Sequence, residues 1–154
     1  SKELRRLERT LGVRLFNRSA GGTTLTPAGE RLRQPAAAVL AQLTTEVYAI
    51  ERLGPLLEKA KTNMRHLKQF SVRLKHADGQ LGMPEAAPFD SIIVAAAGRQ
   101  VPPALLEQLA AGGRMVLPVG TTEQYLSFIE RSRDGFVETR LDPVRFVPLL
   151  AGTQ

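Results

Sequence analysis

The sequence predicts an α/β protein whose sheet is mostly parallel and ends in an antiparallel hairpin. From residue 46 onward, apolar runs of strand length alternate with stretches whose apolar residues have helical spacing, a pattern typical of parallel sheets. The run Ser91 to Ala97 is almost entirely apolar, as in a strand buried on both faces. Near the end of the sequence, Asp134-Gly135 separates two strand-like segments, which predicts a hairpin turn.

The first third of the chain predicts a helix, a hairpin and a second helix. Leucines with helical spacing followed by a glycine predict the first helix over residues 2–11. Residues 13–16 and 23–25 are β-compatible and flank a glycine pair, so they predict a small hairpin. A threonine-proline start predicts a helix over residues 26–43, and Pro35 predicts a kink within it.

The rest of the chain predicts alternating strands and helices, followed by three closing strand-like segments. The predicted strands in the alternating part are 47–50, 71–74, 91–97 and 115–119. The predicted helices are 54–67 and 102–112, and the closing segments are 125–130, 136–141 and 144–149.

Composition excludes several functional classes. The 154 residues include no cysteine, so the chain has neither disulfides nor a cysteine nucleophile. With only His66 and His76 as histidines, we expect no metal site. No apolar run approaches the roughly 20 residues that cross a bilayer, and no leader pattern opens the sequence. We therefore expect a cytoplasmic protein with no membrane partner.

The positive charge is concentrated near the start of the sequence. Residues 1–45 contain eight lysines and arginines against three glutamates, which accounts for five of the net six positive charges. Such asymmetry indicates either a segment that faces nucleic acid or a solvated basic face.

Residues 6–17 read RLERTLGVRLFN, and residues 24–32 read TLTPAGERL. These two stretches resemble the LysR-type transcriptional regulators, in which the matching region contains the end of a recognition helix, the wing and the start of a linker helix. The resemblance assigns residues 1–40 to a winged-helix-derived fragment. Because the matching helix is incomplete, we expect only weak, non-specific nucleic-acid binding, through phosphate contacts of Lys2, Arg5 and Arg6.

A second resemblance covers residues 38–154. The stretches that carry it are AVLAQL (38–43), EVYAIER (46–52), DGQLG (78–82), PFDSIIVAAA (88–97), VPPALLEQLAAGGRMVLPVG (101–120) and DPVRFVPLL (142–150). They are similar to protein-L-isoaspartate O-methyltransferases, which use S-adenosylmethionine to methylate the carboxylate of isoaspartyl residues. The resemblance implies a Rossmann-like, methyltransferase-type fold, and it assigns 41–154 to a truncated α/β region that folds together with the first fragment.

The resemblance also implies cofactor-binding residues. Glu51 matches the acid that binds the ribose hydroxyls, Asp78 and Gly79 match the loop that holds adenine, and Leu81 would pack on the ring. Taken without the resemblance, Glu51 is better interpreted as a surface acid beside Arg52, and Asp78 as a turn-former.

The family's glycine-rich cofactor loop and the central strand before it have no counterpart in ERLRQPAAA (30–38). We therefore expect an artificial or recombinant chimera with no evolved activity: not an enzyme, with no catalytic residues, no cofactor and only vestigial binding residues. The alternatives are an S-adenosylmethionine-dependent isoaspartyl methyltransferase and a basic, non-specific DNA-binding protein.

A missing central strand would leave backbone groups unpaired between strands 47–50 and 91–97. Two arrangements would repair the gap. The wing strand 23–26 could occupy it, or two chains could exchange elements to form a homodimer.

Overall fold

The computed structural model describes residues 16–19, 22–25, 46–66 and 71–154. The elements in these ranges are, in chain order, β1 (Phe16–Ser19), β2 (Gly22–Leu25), β3 (Val47–Glu51), α1 (Gly54–His66), β4 (Val72–His76), β5 (Phe89–Ile93), α2 (Pro103–Glu107), β6 (Leu109–Gly120), β7 (Gln124–Ser132) and β8 (Gly135–Val144). The two N-terminal helices, the kink at Pro35 and the domain boundary near residue 40 are predictions that lie outside the described residues.

The described residues fall into two compact units, apart from the β1–β2 pair. One unit contains residues 46–66, 71–78 and 152–154, and the other contains residues 79–151. The β1–β2 residues are divided between the two units; after residue 45 the second unit is one continuous stretch, whereas the first is completed by residues that follow it.

The first unit is built on a parallel strand pair. β3 and β4 pair from Val47↔Val72 to Glu51↔His76. The helix α1 connects them and begins at Gly54-Pro55, because proline suits the first turn of a helix. Its buried residues Leu57 and Met64 lie seven positions apart in sequence, on one face of the helix. The strand-helix-strand arrangement predicted from apolar spacing is confirmed here.

The second unit contains a four-stranded sheet in the order β5-β6-β7-β8. β5 pairs parallel with β6, while β7 and β8 continue the sheet antiparallel. The core consists of fully or almost fully buried residues, namely Leu105, Leu109, Met115, Leu117, Val119 and Ile129. Parallel pairs followed by the β7–β8 hairpin confirm the predicted fold class.

The predicted helix over residues 102–112 is too long. α2 ends at Glu107, and β6 begins two residues later at Leu109, whose side chain is fully buried and which pairs with Phe89. The glycine pair that was expected to end a helix instead lies inside the strand, where Gly112 has φ of 77° and the pairing with β5 shifts register. Glycine tolerates this conformation, so the same residues suit an irregular strand.

The prediction for residues 91–97 is only partly correct. The regular strand β5 spans Phe89–Ile93, and Ala97 and Gly98 make single bridges to Pro148 and Val119. Ile93 is 63% exposed, although we expected this strand to be buried on both faces.

The wing strand does not repair the predicted gap. β2 pairs with β1, and within the described ranges β3 has β4 as its only strand neighbour while β5 lies at the edge of its sheet. Element exchange between two chains stays a prediction. No helix in the described part of the chain is long and apolar enough to cross a membrane.

Gln108 is a buried polar residue that fixes the loop before β5. Gln108 is only 5% exposed. Its Oε1 accepts a hydrogen bond from Met83 N at 2.7 Å, and its Nε2 donates one to Leu81 O at 2.8 Å. Both ends of the amide are therefore satisfied.

Replacing Gln108 with leucine is expected to destabilise the second unit by about 1–3 kcal/mol, because the buried N–H of Met83 loses its acceptor. Urea unfolding and amide exchange at Met83 measure the effect. Gln100→Leu at an exposed position is the matched control. Unchanged protection of Met83 in the Gln108 variant would contradict this role.

An exposed ion pair joins the two strands of the first unit. Arg73 Nη2 donates to Glu46 Oε1 at 2.8 Å, and Tyr48 Oη donates to Glu46 Oε2 at 3.0 Å. The hydrogen bond from the Arg73 guanidinium lowers the pKa of the Glu46 carboxyl, and the bond from Tyr48 adds to this effect.

A carboxyl whose pKa is lowered by folding stabilises the protein above its unfolded pKa, and that contribution is lost as the pH falls through its folded pKa. We expect the difference in thermal midpoint between the wild type and Arg73→Gln to be small at neutral pH, since the pair is exposed, and to vanish towards about pH 3. A difference that grows on acidification would contradict this assignment.

Candidate functional site

Two acidic residues lie at the same edge of the β3–β4 pair. Glu51 is the last residue of β3, and Asp78 follows the end of β4 by two residues. The segment between them is tied to β3, since Ala77 N donates to Glu51 O at 3.3 Å. In open α/β sheets, ligands bind beyond the carboxyl ends of parallel strands. The fold therefore places these two carboxylates where a ligand of this fold class binds.

Glu51 is half-buried and locally oriented. Its Oε1 accepts a hydrogen bond from Leu53 N at 3.0 Å, in the turn that leads into α1. A carboxylate has about four acceptor positions, so this one bond leaves it able to accept the two hydroxyl hydrogens of a vicinal diol.

Asp78 is held by a residue distant in sequence. Its Oδ2 accepts a hydrogen bond from Gly152 N at 2.7 Å, across 74 positions of the chain. Its side chain is therefore oriented by more than a local turn.

Gly79 and Leu81 follow Asp78 in sequence but belong to the second unit. Leu81 is 62% exposed, and its carbonyl accepts the bond from Gln108 already described. A Cβ added at Gly79 would touch Leu149 Cδ1 at 3.5 Å, an ordinary van der Waals distance. The loop thus presents an apolar side chain from a fixed backbone.

Residues that sequence reasoning missed surround the edge of the first unit. Arg52 Nε donates to Gly152 O at 3.3 Å, and Arg52 O accepts from Gln154 N at 2.8 Å. His76 Nε2 lies 2.9 Å from Arg52 O and 3.2 Å from Gln154 O. His76 was interpreted as a solvated histidine, and no local pattern could have paired it with a residue 78 positions away.

The second unit contains an open cleft of about 450 Å³. Residues that line it include Ala97, Arg99, Gly120, Gln124, Arg145 and Phe146. Gln124 fixes one wall, because its side chain accepts from Phe146 N at 2.6 Å and donates to Phe146 O at 3.1 Å. Two exposed arginines make this cleft suited to a ligand that carries a carboxylate.

Two further expectations concerned nucleic acid and metal ions. Lys2, Arg5 and Arg6 lie outside the described residues. Over 46–66 and 71–154, no three potential metal-ligating side chains come together.

Comparison with known families yields two matches. Residues 34–154 match the model of the family "Protein-L-isoaspartate(D-aspartate) O-methyltransferase (PCMT)", and residues 1–30 match "Bacterial regulatory helix-turn-helix protein, lysR family". Both resemblances found in the sequence are thus present, and the methyltransferase match covers most of the chain.

Curated relatives are named protein-L-isoaspartate O-methyltransferase. The relative from Dechloromonas aromatica is 71% identical over 146 residues, which is 95% of this chain and 67% of that protein. The relative from Azoarcus sp. is 64% identical over 118 residues, 77% of this chain and 54% of that protein. The chain therefore spans about half to two thirds of the length of these relatives.

Solved structures share the fold. A protein-L-isoaspartate O-methyltransferase superposes with a TM-score of 0.69 at 23% identity, covering 87% of this chain and 51% of that protein. A Plasmodium falciparum protein described as a putative member, in complex with S-adenosyl-L-homocysteine, superposes with a TM-score of 0.63 at 23% identity, covering 87% and 78%.

These findings correct three expectations. The expectation of no evolved function is wrong, since the curated relatives and the matching family are named as protein-L-isoaspartate O-methyltransferases. The expectation that the chain is not an enzyme conflicts with relatives that are named as enzymes. The expectation of no cofactor conflicts with a neighbour bound to S-adenosyl-L-homocysteine. The absence of a glycine-rich loop does not outweigh the match of residues 34–154 to the methyltransferase family. By its match over residues 34–154, the chain belongs to the protein-L-isoaspartate(D-aspartate) O-methyltransferase family.

Proposed function

We propose that this chain is an S-adenosylmethionine-dependent protein-L-isoaspartate O-methyltransferase. The observation that carries the proposal is the pair Glu51 and Asp78, at the carboxyl edge of two adjacent parallel strands. The names of the curated relatives support the same reaction.

The hydrogen-bond acceptors of this edge fit the adenosine part of the cofactor. A ribose offers two hydroxyl donors and adenine offers an amino donor, so the site must supply acceptors. Glu51 and Asp78 supply carboxylate oxygens on adjacent loops. In this assignment Glu51 holds the ribose and Asp78 accepts from the base.

When bound, S-adenosylmethionine supplies a methyl group on a positively charged sulfonium, which makes it open to attack by a carboxylate. The residues of this chain contribute by binding and orientation, the main sources of acceleration in a transfer between two held reactants. The sequence has no glycine between Gly29 and Gly54, so the assignment is confined to the adenosine part.

The cleft of the second unit is suited to the peptide that accepts the methyl group. Arg99 and Arg145 provide positive charge for the isoaspartyl carboxylate, and the fixed Phe146 backbone forms a rigid wall. A peptide chain extended along this wall would place an acidic side chain among donors.

The test is transfer of a labelled methyl group from S-adenosylmethionine to a peptide with one isoaspartyl residue. The control peptide has the same sequence with a normal aspartate, and Glu51→Gln is the matched variant. Label in the isoaspartyl peptide alone, reduced in the variant, supports the proposal. No incorporation above the enzyme-free blank overturns it.

A further inference from the structure

We propose that the hairpin turn at Asp134-Gly135 is a site of isoaspartate formation in this chain, and that a second copy of the chain methylates it. The methyl transfer rests on the proposed function, whereas the formation of isoaspartate needs no enzyme. The proposal adds one substrate to the proposed reaction, namely the protein itself.

Isoaspartate forms when a backbone nitrogen attacks the side chain of the preceding aspartate. At this turn Gly135 N bonds to Cγ of Asp134, and one carboxyl oxygen leaves as water with the N–H proton and a proton from solvent. Water then opens the cyclic imide. When it breaks the bond between the nitrogen and the α-carbonyl carbon, the chain continues through Cγ and the α-carboxylate becomes free. Glycine hinders this attack least, because it has no side chain.

The sequence contains two Asp-Gly pairs, and their surroundings in the structure differ. The Asp78 carboxylate accepts a hydrogen bond from Gly152 N at 2.7 Å, and Gly79 is partly buried. Attack at this pair requires that bond to break and the loop to leave its packing. Asp134 and Gly135 are both exposed, and nothing lies within 4 Å of a Cβ added at Gly135. The hairpin pair is therefore the more reactive of the two.

Ser132 holds the turn through bonds that do not use the Asp134 side chain. Asp134 N donates to Ser132 Oγ at 3.2 Å, and Ser132 Oγ donates to Gly135 O at 3.0 Å. Within the part of the chain that the structure describes, the Asp134 carboxylate forms no hydrogen bond or ion pair. Ser132 and Gly135 form the last pair of the β7–β8 ladder, so only the end of the hairpin has to open for the imide to form.

The turn lies too far from the cleft of its own copy. Gln124, which lines the cleft, begins the nine-residue strand β7, and Ser132 ends it next to the turn. At about 3.4 Å per residue, the two ends of β7 are about 27 Å apart. β7 pairs with β6 on one side and β8 on the other, so it cannot fold back on itself. An isoaspartate at position 134 therefore reaches the cleft of another copy only.

A folded copy can carry this modification, because the turn lies outside the core, which on β7 includes Ile129. In the transfer, an oxygen of the freed α-carboxylate bonds to the methyl carbon of S-adenosylmethionine. The bond from that carbon to sulfur breaks, which leaves a neutral thioether. Arg99 and Arg145 in the cleft of the second copy supply positive charge for the carboxylate.

The first test incubates the full chain at physiological temperature and neutral pH without cofactor and maps isoaspartate by mass spectrometry. We expect at least about tenfold more isoaspartate at position 134 than at position 78, because the bond to the charged Asp78 carboxylate must first break. Asp134→Glu is the matched variant, since it keeps the charge but cannot form this imide. Equal amounts at the two positions overturn the proposal.

The second test gives labelled S-adenosylmethionine and fresh wild-type chain to aged Glu51→Gln chain, which we expect to bind the cofactor weakly. Label should appear in the peptide that contains position 134, only when fresh chain is present, and not when the aged acceptor also carries Asp134→Glu. Label without fresh chain overturns transfer between copies.

The isoaspartyl peptide described above distinguishes the two proposals. Methylation of that peptide without label at position 134 of the aged chain overturns this inference alone. Absence of both overturns the proposed function and the methyl transfer with it, while the mapping of isoaspartate still decides whether the turn is the reactive site.

Discussion

Glu51→Gln lowers the affinity for S-adenosylhomocysteine by about 100-fold, the larger of the expected effects on binding. Hydrogen bonds to a charged acceptor are stronger than neutral ones, at about 1.5–3 kcal/mol each, and the ribose supplies a pair of donors. Glutamine keeps the size of the side chain but loses the charge, and its NH₂ group cannot accept a hydroxyl hydrogen.

The control for this substitution is Glu58→Gln. Glu58 lies on the exposed side of α1, where it pairs with Lys61 at 2.7 Å, so the same chemical change occurs in the same unit without touching the site. Calorimetric titration of both variants with S-adenosylhomocysteine separates the loss of the Glu51 carboxylate from the effect of the same chemical change elsewhere in the unit. Equal affinities in the two variants would show that Glu51 does not bind the ribose.

Leu117→Ala destabilises the second unit by about 2–5 kcal/mol, the largest expected effect on folding. Leu117 is a fully buried residue of β6 and pairs with Ser127 of β7 within the sheet. Its removal would leave a cavity beside Met115 and Ile129, which are themselves buried and cannot move without losing contacts. Whole domains are stable by only about 5–15 kcal/mol, so this loss is large.

Urea unfolding followed by NMR signals of residues 109–132 measures the effect in the second unit. The control is Leu141→Ala on β8, where the side chain is 44% exposed and its loss opens no cavity. Similar losses in the two variants would contradict the assignment of Leu117 to the core.

The sequence predicted best where a local pattern determines the structure. The hairpin at Asp134-Gly135 depends on a turn of few residues, and α1 on an amphipathic repeat with a proline start. The predicted boundary between α2 and β6 was wrong. Leu109 and the residues after it suit either a helix or a strand, and the pairing of Leu109 with Phe89 decides between the two.

The candidate site was predictable in part. Glu51 and Asp78 could be named because the chain resembles a known family in EVYAIER and DGQLG. Gln108, Arg52 and His76 could not, since the partners of their side chains lie 24 to 100 positions away along the chain. The expectation that function is absent was wrong because it weighed the missing glycine-rich loop and central strand more heavily than the similarity of the remaining sequence to the family.

The discontinuity of the first unit has a consequence for how the protein folds. Residues 152–154 belong to the first unit, although residues 79–151 of the second unit separate them from Asp78 in sequence. The bond between Arg52 and Gly152 then closes a loop of 100 positions, but the entropy cost of closure rises only slowly with loop length and falls further once most of that loop is already compact. We therefore expect the bonds of residues 152–154 to Arg52 and Asp78 to form late in refolding, after the second unit has become compact.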